Sequence, residues 1–263
     1  MNICGLCKKE KNLKKSHLMP KSLYKRIRDG FDGSDIVISQ KHSNSSQYSD
    51  FQVKANFLCE ECEQLFSRNG ENVVVRECHG RGNQFNLLKR IKGSNSAFSI
   101  KGERWVPPHN DGSFFENEYL YFAASIFWRS SSWPSELHSA QNSLGAKYQE
   151  QFRRYLLGKD KFPENAYLCV YVDSNTDITP LISFPTVSKK NGYHHHIFYI
   201  PGVKFSLVLG SKVGGIEEMS KKLNTNIFFV EYDFKRHNDY SFFADTIQNQ
   251  LEPKGRLANE PSV

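Results

Sequence analysis

Apolar positions along this chain fall into a short series of helix-like and strand-like rhythms. Leu23, Tyr24 and Ile27 share a face at helical spacing behind Pro20, so a helix is expected through Arg28, with Gly30 placed to stop it. The stretch from Asp29 to Asp50 is polar, with "DIVIS" as one short strand candidate, and "FQVKANFL" alternates as a strand running into Cys59. A helix should begin around Cys59 to Cys62 and continue through Phe66 until Asn69-Gly70 disturbs it.

Beyond about residue 83 the character changes. "SAFSIKGERWV" reads as a strand and "PPHNDGS" as a loop. "FENEYLYFAASIFWRSSSW" is apolar around most of its helical circumference, the mark of a buried helix. "SELHSAQNSLGAKYQEQFRRYLLG" reads as a long amphipathic helix capped by Ser135 and closed by Gly158. Five β-like runs follow: "AYLCVYVD", "TPLISFPTV", "HHHIFYIPG", "KFSLVLG" and "NIFFVEYDF". A last helix is expected over 238–250, and no repeat is visible.

Strands clustered after two helices predict an α+β fold with a mainly antiparallel sheet, not a parallel doubly wound one. The shift in character suggests three parts: a small module over 1–82, a larger α+β domain over 83–251, and a mobile tail over 252–263. Hydrophobic content of 38% is enough for a packed core. No run of about 18 apolar residues predicts a membrane span, and the N-terminus lacks the apolar core of a secretory signal. A cytoplasmic location is expected.

Charge changes the picture more than composition does. Residues 1 to 28 hold nine Lys or Arg against Glu10 alone, a net +8, which leaves the other 235 residues at −1 of the chain's +7. A local basic patch is what a phosphate-contacting surface needs, and Lys21, Lys25, Arg26 and Arg28 sit together on the first helix. An isolated charge run is also what a solvated face looks like.

Four of six cysteines form two Cys-x-x-Cys pairs, Cys4/Cys7 and Cys59/Cys62. In an intracellular chain this spacing favours a metal over disulfides, and four thiolates complete a tetrahedral zinc site. Gly5 is expected to permit the tight turn of the first pair. The long gap between pairs means that something folds between them, tied at its base by the metal. Cys169 reads as a core residue, and Cys78 stands alone.

That gap contains "SHLMPKSLY". With Cys4-x-x-Cys7, His17-x-x-Pro20, Asn56 and Leu58-Cys59-x-x-Cys62 in that order, residues 1 to 72 resemble the HNH (ββα-metal, His-Me finger) endonuclease superfamily. The resemblance implies a zinc-stabilised ββα-metal module, with His17 as the general base that activates water and a Mg²⁺ or Mn²⁺ ion at the scissile phosphate. It also makes Asn56 a candidate catalytic residue. Glu63 stands directly after the second pair, where many relatives of this kind carry His or Asn. A carboxylate there suits a hard cation, although an acid in a first helical turn also complements the helix dipole. Glu71 is a further candidate carboxylate.

Two functions from different classes follow as expectations, with a zinc-stapled scaffold whose partner is another protein as a third. One is a metal-dependent nuclease acting on nucleic acid, DNA most of all, of the kind found with protein partners in restriction or phage defence. The other is a non-catalytic, zinc-dependent nucleic-acid-binding protein using the same basic helix. His194, His195 and His196 are expected on a strand, where adjacent side chains point to opposite faces and do not converge on one ion. Arg129, in "FWRSSSW", is expected to pack the second domain or face the cleft.

Overall fold

The computed structural model describes residues 2–30, 37–40, 45–48, 52–78, 85–108, 114–134, 141–175, 181–190, 192–211, 213–237, 241 and 252–254. Strands β1 (Asn2–Ile3) and β2 (Glu10–Lys11) pair antiparallel and close a loop carrying Cys4 and Cys7. β3 (Leu13–His17) follows, and Pro20 leads into α1 (Lys21–Gly30), which buries Leu23, Tyr24 and Ile27 as their spacing predicts. β4 (Val37–Gln40), which overlaps the end of "DIVIS", pairs antiparallel with β5 (Ser45–Tyr48).

β6 (Lys54–Cys59) runs back antiparallel to β3, with a register shift between Lys14 and Lys15. At this bulge Ser16 is buried, and its Oγ accepts the Leu58 N–H at 3.1 Å. The irregular ladder thus leaves no orphan donor at that point.

α2 (Glu60–Phe66) begins directly after β6. The expected disturbance at Asn69-Gly70 does not end the helix. One wide π-type turn, Ser67–Glu71, passes straight into α3 (Asn72–Glu77). A Cβ on Gly70 would lie 2.8 Å from the Phe122 backbone nitrogen, so this glycine admits a neighbouring helix instead of stopping its own.

α4 (Asn86–Gly93) was not expected, although Leu87, Leu88 and Ile91 give it a buried face at helical spacing. The single strand expected in "SAFSIKGERWV" is a hairpin of β7 (Phe98–Ile100) and β8 (Glu103–Val106). Its two-residue loop has Lys101 at φ 52° and Gly102 at φ 84°, the two positive values of a type I′ turn. α5 (Glu116–Ser131) is the apolar helix, and α6 (Gly145–Leu156) is shorter than predicted. Residues 141–144 form turns, and the expected cap, Ser135, lies outside the described residues. Gly158 does close α6, at φ 68°.

The remaining elements are β9 (Ala166–Asp173), β10 (Thr186–Lys190), β11 (Tyr193–Ile200), β12 (Val203–Gly210), α7 (Gly215–Leu223), β13 (Ile227–Tyr232) and β14 (Glu252–Pro253). α7 also escaped the sequence reading. β14 pairs with β5, at the start of the segment expected to be a mobile tail; residues 255–263 lie outside the described residues. So does the expected helix over 238–250, apart from Ser241.

Seven strands form one sheet in the order β10-β11-β12-β9-β13-β8-β7. Every neighbouring pair is antiparallel except β9 and β13. The chain is therefore a mixed α+β fold with a mainly antiparallel sheet, as expected.

α5 explains its own all-round apolarity. On one side Phe122 and Phe127 pack on Phe198, 6.1 and 5.0 Å between ring centroids, and Tyr119 packs on Phe229 at 5.1 Å. On the other, Trp128 stacks on Phe57 at 5.5 Å and Tyr121 meets Phe66 at 6.2 Å. One hydrophobic core therefore runs from Cys4 through α5 to the large sheet.

Candidate metal centre and the adjoining histidine site

The β1–β2 loop and the β6–α2 junction bring Cys4, Cys7, Cys59 and Cys62 together, with all four sulfurs within 4.8 Å of one another. Cys7 Sγ and Cys59 Sγ are 3.9 Å apart, and all four cysteines are free thiols. A tetrahedral zinc ion with bonds of about 2.3 Å sets its sulfurs roughly 3.8 Å apart, whereas a disulfide needs about 2.0 Å. The donor set and spacing fit a structural metal such as zinc.

Backbone geometry builds this cluster locally. Lys8 N–H donates to the Cys4 carbonyl and Cys4 N–H to the Lys9 carbonyl, folding the first pair into a knuckle. The positive φ in that turn belongs to Lys8, at 59°, not to Gly5. Gly5 serves a different need: a Cβ there would fall 2.1 Å from the Phe57 ring. Its N–H also donates to the Phe57 carbonyl at 2.9 Å. Cys59 N–H points at Cys4 Sγ, 3.3 Å away, the kind of outer hydrogen bond that favours a thiolate. A hydrogen bond between Cys4 and Cys62 lowers the Cys4 thiol and raises that of Cys62. Burial raises Cys59 to about 11.

The large sheet's helices support the knuckle from behind. Phe57 lies between Trp128 and Trp133, 5.5 Å from each, and Arg153 of α6 donates to the Leu6 carbonyl at 2.7 Å.

Beside the cysteines lies a second constellation. His17 ends β3, opposite Lys54, and Glu63 sits in the first turn of α2. His17 Nε2 and Glu63 Oε1 are each buried without a hydrogen-bond partner. Burial lowers the His17 pKa below its ordinary value, helped by the charges of Lys54 and Lys21, while Gln52 and the Glu63 carboxylate pull it back up. The imidazole is therefore neutral near pH 7.

The dipole explanation of Glu63 weakens once its neighbours are placed. Glu60 pairs with Lys14, and Glu61 pairs with Lys11 at 2.6 Å. Those two acids complement the helix start with partners of their own. Glu63 turns inward instead, with one oxygen unsatisfied, which is costly unless something fills the site. The free carboxylate oxygen of Glu63 is the kind of ligand a hard divalent cation prefers, which leaves His17 Nε2 available as a base.

Other candidates separate from this group. Asn56 is exposed on β6, opposite Lys15. Lys21 and Lys25 are exposed on α1, and the side chains of Arg26 and Arg28 lie outside the described residues. Glu71 pairs with Arg129 at 2.8 Å and so is committed elsewhere. The three β11 histidines do not converge: His195 Nε2 meets Ser206 Oγ at 2.8 Å, while buried His196 packs against Phe127 on α5. Cys169 is a buried core residue. Among the described residues, the cysteine quartet is the only cluster of three or more His, Cys, Asp or Glu donors close enough to share an ion.

The sequence did not single out Gln52, and it offered Arg129 only as part of a packing motif that could face the cleft. Gln52 lies in no motif, and Arg129 was visible only as a charge inside an otherwise apolar helix. No protein-family model, curated protein or solved structure matches the chain. No helix among the described residues is long and apolar enough to cross a membrane.

Proposed function

We propose that the protein is a metal-dependent endonuclease of HNH type that hydrolyses phosphodiester bonds, DNA being the favoured substrate. The observation that carries this reading is the pair of buried polar atoms without hydrogen-bond partners, His17 Nε2 and Glu63 Oε1, beside a four-cysteine metal centre and among exposed lysines. The order of β3, β6 and α2, with the histidine at the end of the first strand, supports the resemblance stated from the motifs.

In this reading the cysteine quartet holds zinc and fixes the start of α2. Lys21 and Lys54 draw the phosphate toward the site. With its proton on Nδ1, neutral His17 takes a proton at Nε2 from the attacking water, whose oxygen then bonds to phosphorus as the bond to the leaving oxygen breaks. Glu63 would hold a Mg²⁺ or Mn²⁺ ion. When bound, that ion neutralises charge developing on the phosphate and leaving oxygens. Asn56 is assigned an accessory role at the strand surface. A place in restriction or phage defence, with a protein partner, is the setting proposed for such a nuclease in the cytoplasm.

The test is cleavage of plasmid and single-stranded DNA with Mg²⁺ or Mn²⁺ by the wild type and His17→Ala, matched for zinc content. Loss of cleavage in the variant, at least a hundredfold, is expected. Salt-sensitive binding without any wild-type cleavage would favour the non-catalytic binding protein, and equal cleavage by both would remove His17 as the base.

A further inference from the structure

Arg129 is the most deeply buried cation near the site, 2% exposed in the last turn of α5. One terminal nitrogen donates to the His17 carbonyl at 2.8 Å and to the Leu18 carbonyl at 3.3 Å. The other donates to Glu71 Oε1 at 2.8 Å. The guanidinium plane rests 4.8 Å from the centre of the Phe66 ring.

We infer that Arg129 is a positioning residue for His17, and through it for the hydrolysis proposed above, on which this inference rests. β3 ends at His17, where the ladder to β6 runs out. On the β6 side, His17 is opposite Lys54 and Leu18 N–H donates to the Val53 carbonyl at 3.0 Å. On the other side the two carbonyls have Arg129. The peptide that carries the imidazole is thus held from both sides. The fork matters here, because one planar guanidinium reaches a pair of carbonyls and a carboxylate at once, whereas an ammonium is a single point.

Glu71 reaches Arg129 through the wide turn at Ser67–Glu71, and Gly70 in that turn lets α5 approach. α5 therefore sets the position of His17 from more than a hundred residues away in sequence. Displacing a general base by about 1 Å can cost on the order of a hundredfold in rate without a direct contact being lost.

The full-length, zinc-loaded protein tests this with two matched variants. Arg129→Lys removes the fork but keeps a cation beside Glu71. Arg154→Lys removes a guanidinium fork of the same kind, to Asp160, away from the site. Both are compared with the wild type for zinc content, for kcat and KM on supercoiled plasmid with Mn²⁺, and for the imidazole carbon-proton signals of ¹³C-histidine-labelled protein. His17→Ala assigns the His17 signal.

The expected result is a kcat at least tenfold lower in Arg129→Lys, with KM within about twofold and a displaced His17 signal; Arg154→Lys should leave both unchanged. An unmoved His17 signal in Arg129→Lys overturns the inference. So does an unchanged kcat, or a loss confined to KM. If the wild type cleaves nothing, the nuclease reading fails by itself, and the His17 signal alone still decides whether Arg129 holds this residue.

Discussion

Gly70→Ala sets two known effects of opposite sign against each other, and the structure says which one wins. In an ordinary helix the exchange stabilises by up to about 1 kcal/mol, because alanine loses less backbone entropy. At Gly70 the new methyl would meet the Phe122 backbone nitrogen at 2.8 Å and its Cα at 3.0 Å. Those atoms belong to the spine of α5 and cannot rotate away. Reaching the 3.4 Å of ordinary contact requires the two helices to part by about 0.6 Å. Phe122 is itself locked against Phe198 and Phe205, so parting them opens the core on the sheet side. Overpacking of this kind costs about 1–3 kcal/mol and exceeds the propensity gain.

A net loss of about 1–2 kcal/mol is therefore expected, or roughly 2–8 °C in melting temperature for a chain of this size. Gly93→Ala is the control, since a Cβ there meets nothing within 4 Å. It should be neutral or stabilising by a few tenths of a kcal/mol. Urea and thermal melts of the zinc-loaded proteins read both. Gly70→Ala melting at or above the wild type would refute the close approach, and with it the account of how α5 reaches the N-terminal elements.

Two further predictions concern the metal centre and the buried histidine. Purified wild type should carry one zinc ion per chain, and Cys59→Ser should lose it by elemental analysis; an unchanged zinc content would remove the quartet as the site. His196 has a pKa lowered to about 3 by burial, with His194 and His195 adding repulsion. The unfolded chain, with its ordinary histidine pKa near 6.5, then binds more protons below that pH. Stability is accordingly lost as pH falls below about 6.5, by about 1.4 kcal/mol per unit for this one group. His196→Leu should flatten the slope by one proton between pH 6 and 4, and identical wild-type and variant slopes in urea titrations would contradict the burial argument.

The sequence by itself determined what depends on near neighbours in the chain. The two Cys-x-x-Cys pairs were legible because each supplies two ligands from one turn. The α1 face of Leu23, Tyr24 and Ile27 and the strands β9, β11, β12 and β13 were legible because burial imposes a period, whereas in the expected strand "TPLISFPTV" β10 begins only at Thr186. The all-round apolarity of α5 said that it was buried, yet not against what. Local pattern also misled: Asn69-Gly70 looks like a helix breaker because glycine is costly in isolation, and "SIKGER" hides a hairpin in what reads as one strand.

Tertiary structure decided the rest. Whether Gly70 ends a helix or receives one depends on Phe122, some fifty residues on. Whether Glu63 serves the helix dipole depends on Lys11 and Lys14 having already paired with Glu61 and Glu60. Glu71 and Arg129 looked like separate candidates, and only the crossing of α5 over the wide turn makes them one ion pair at the His17 peptide. The first is a matter of steric space, and the other two share a different reason. A polar side chain takes whichever partner leaves the fewest buried groups unsatisfied, and that choice is made among residues that the folded core, not the chain order, brings together.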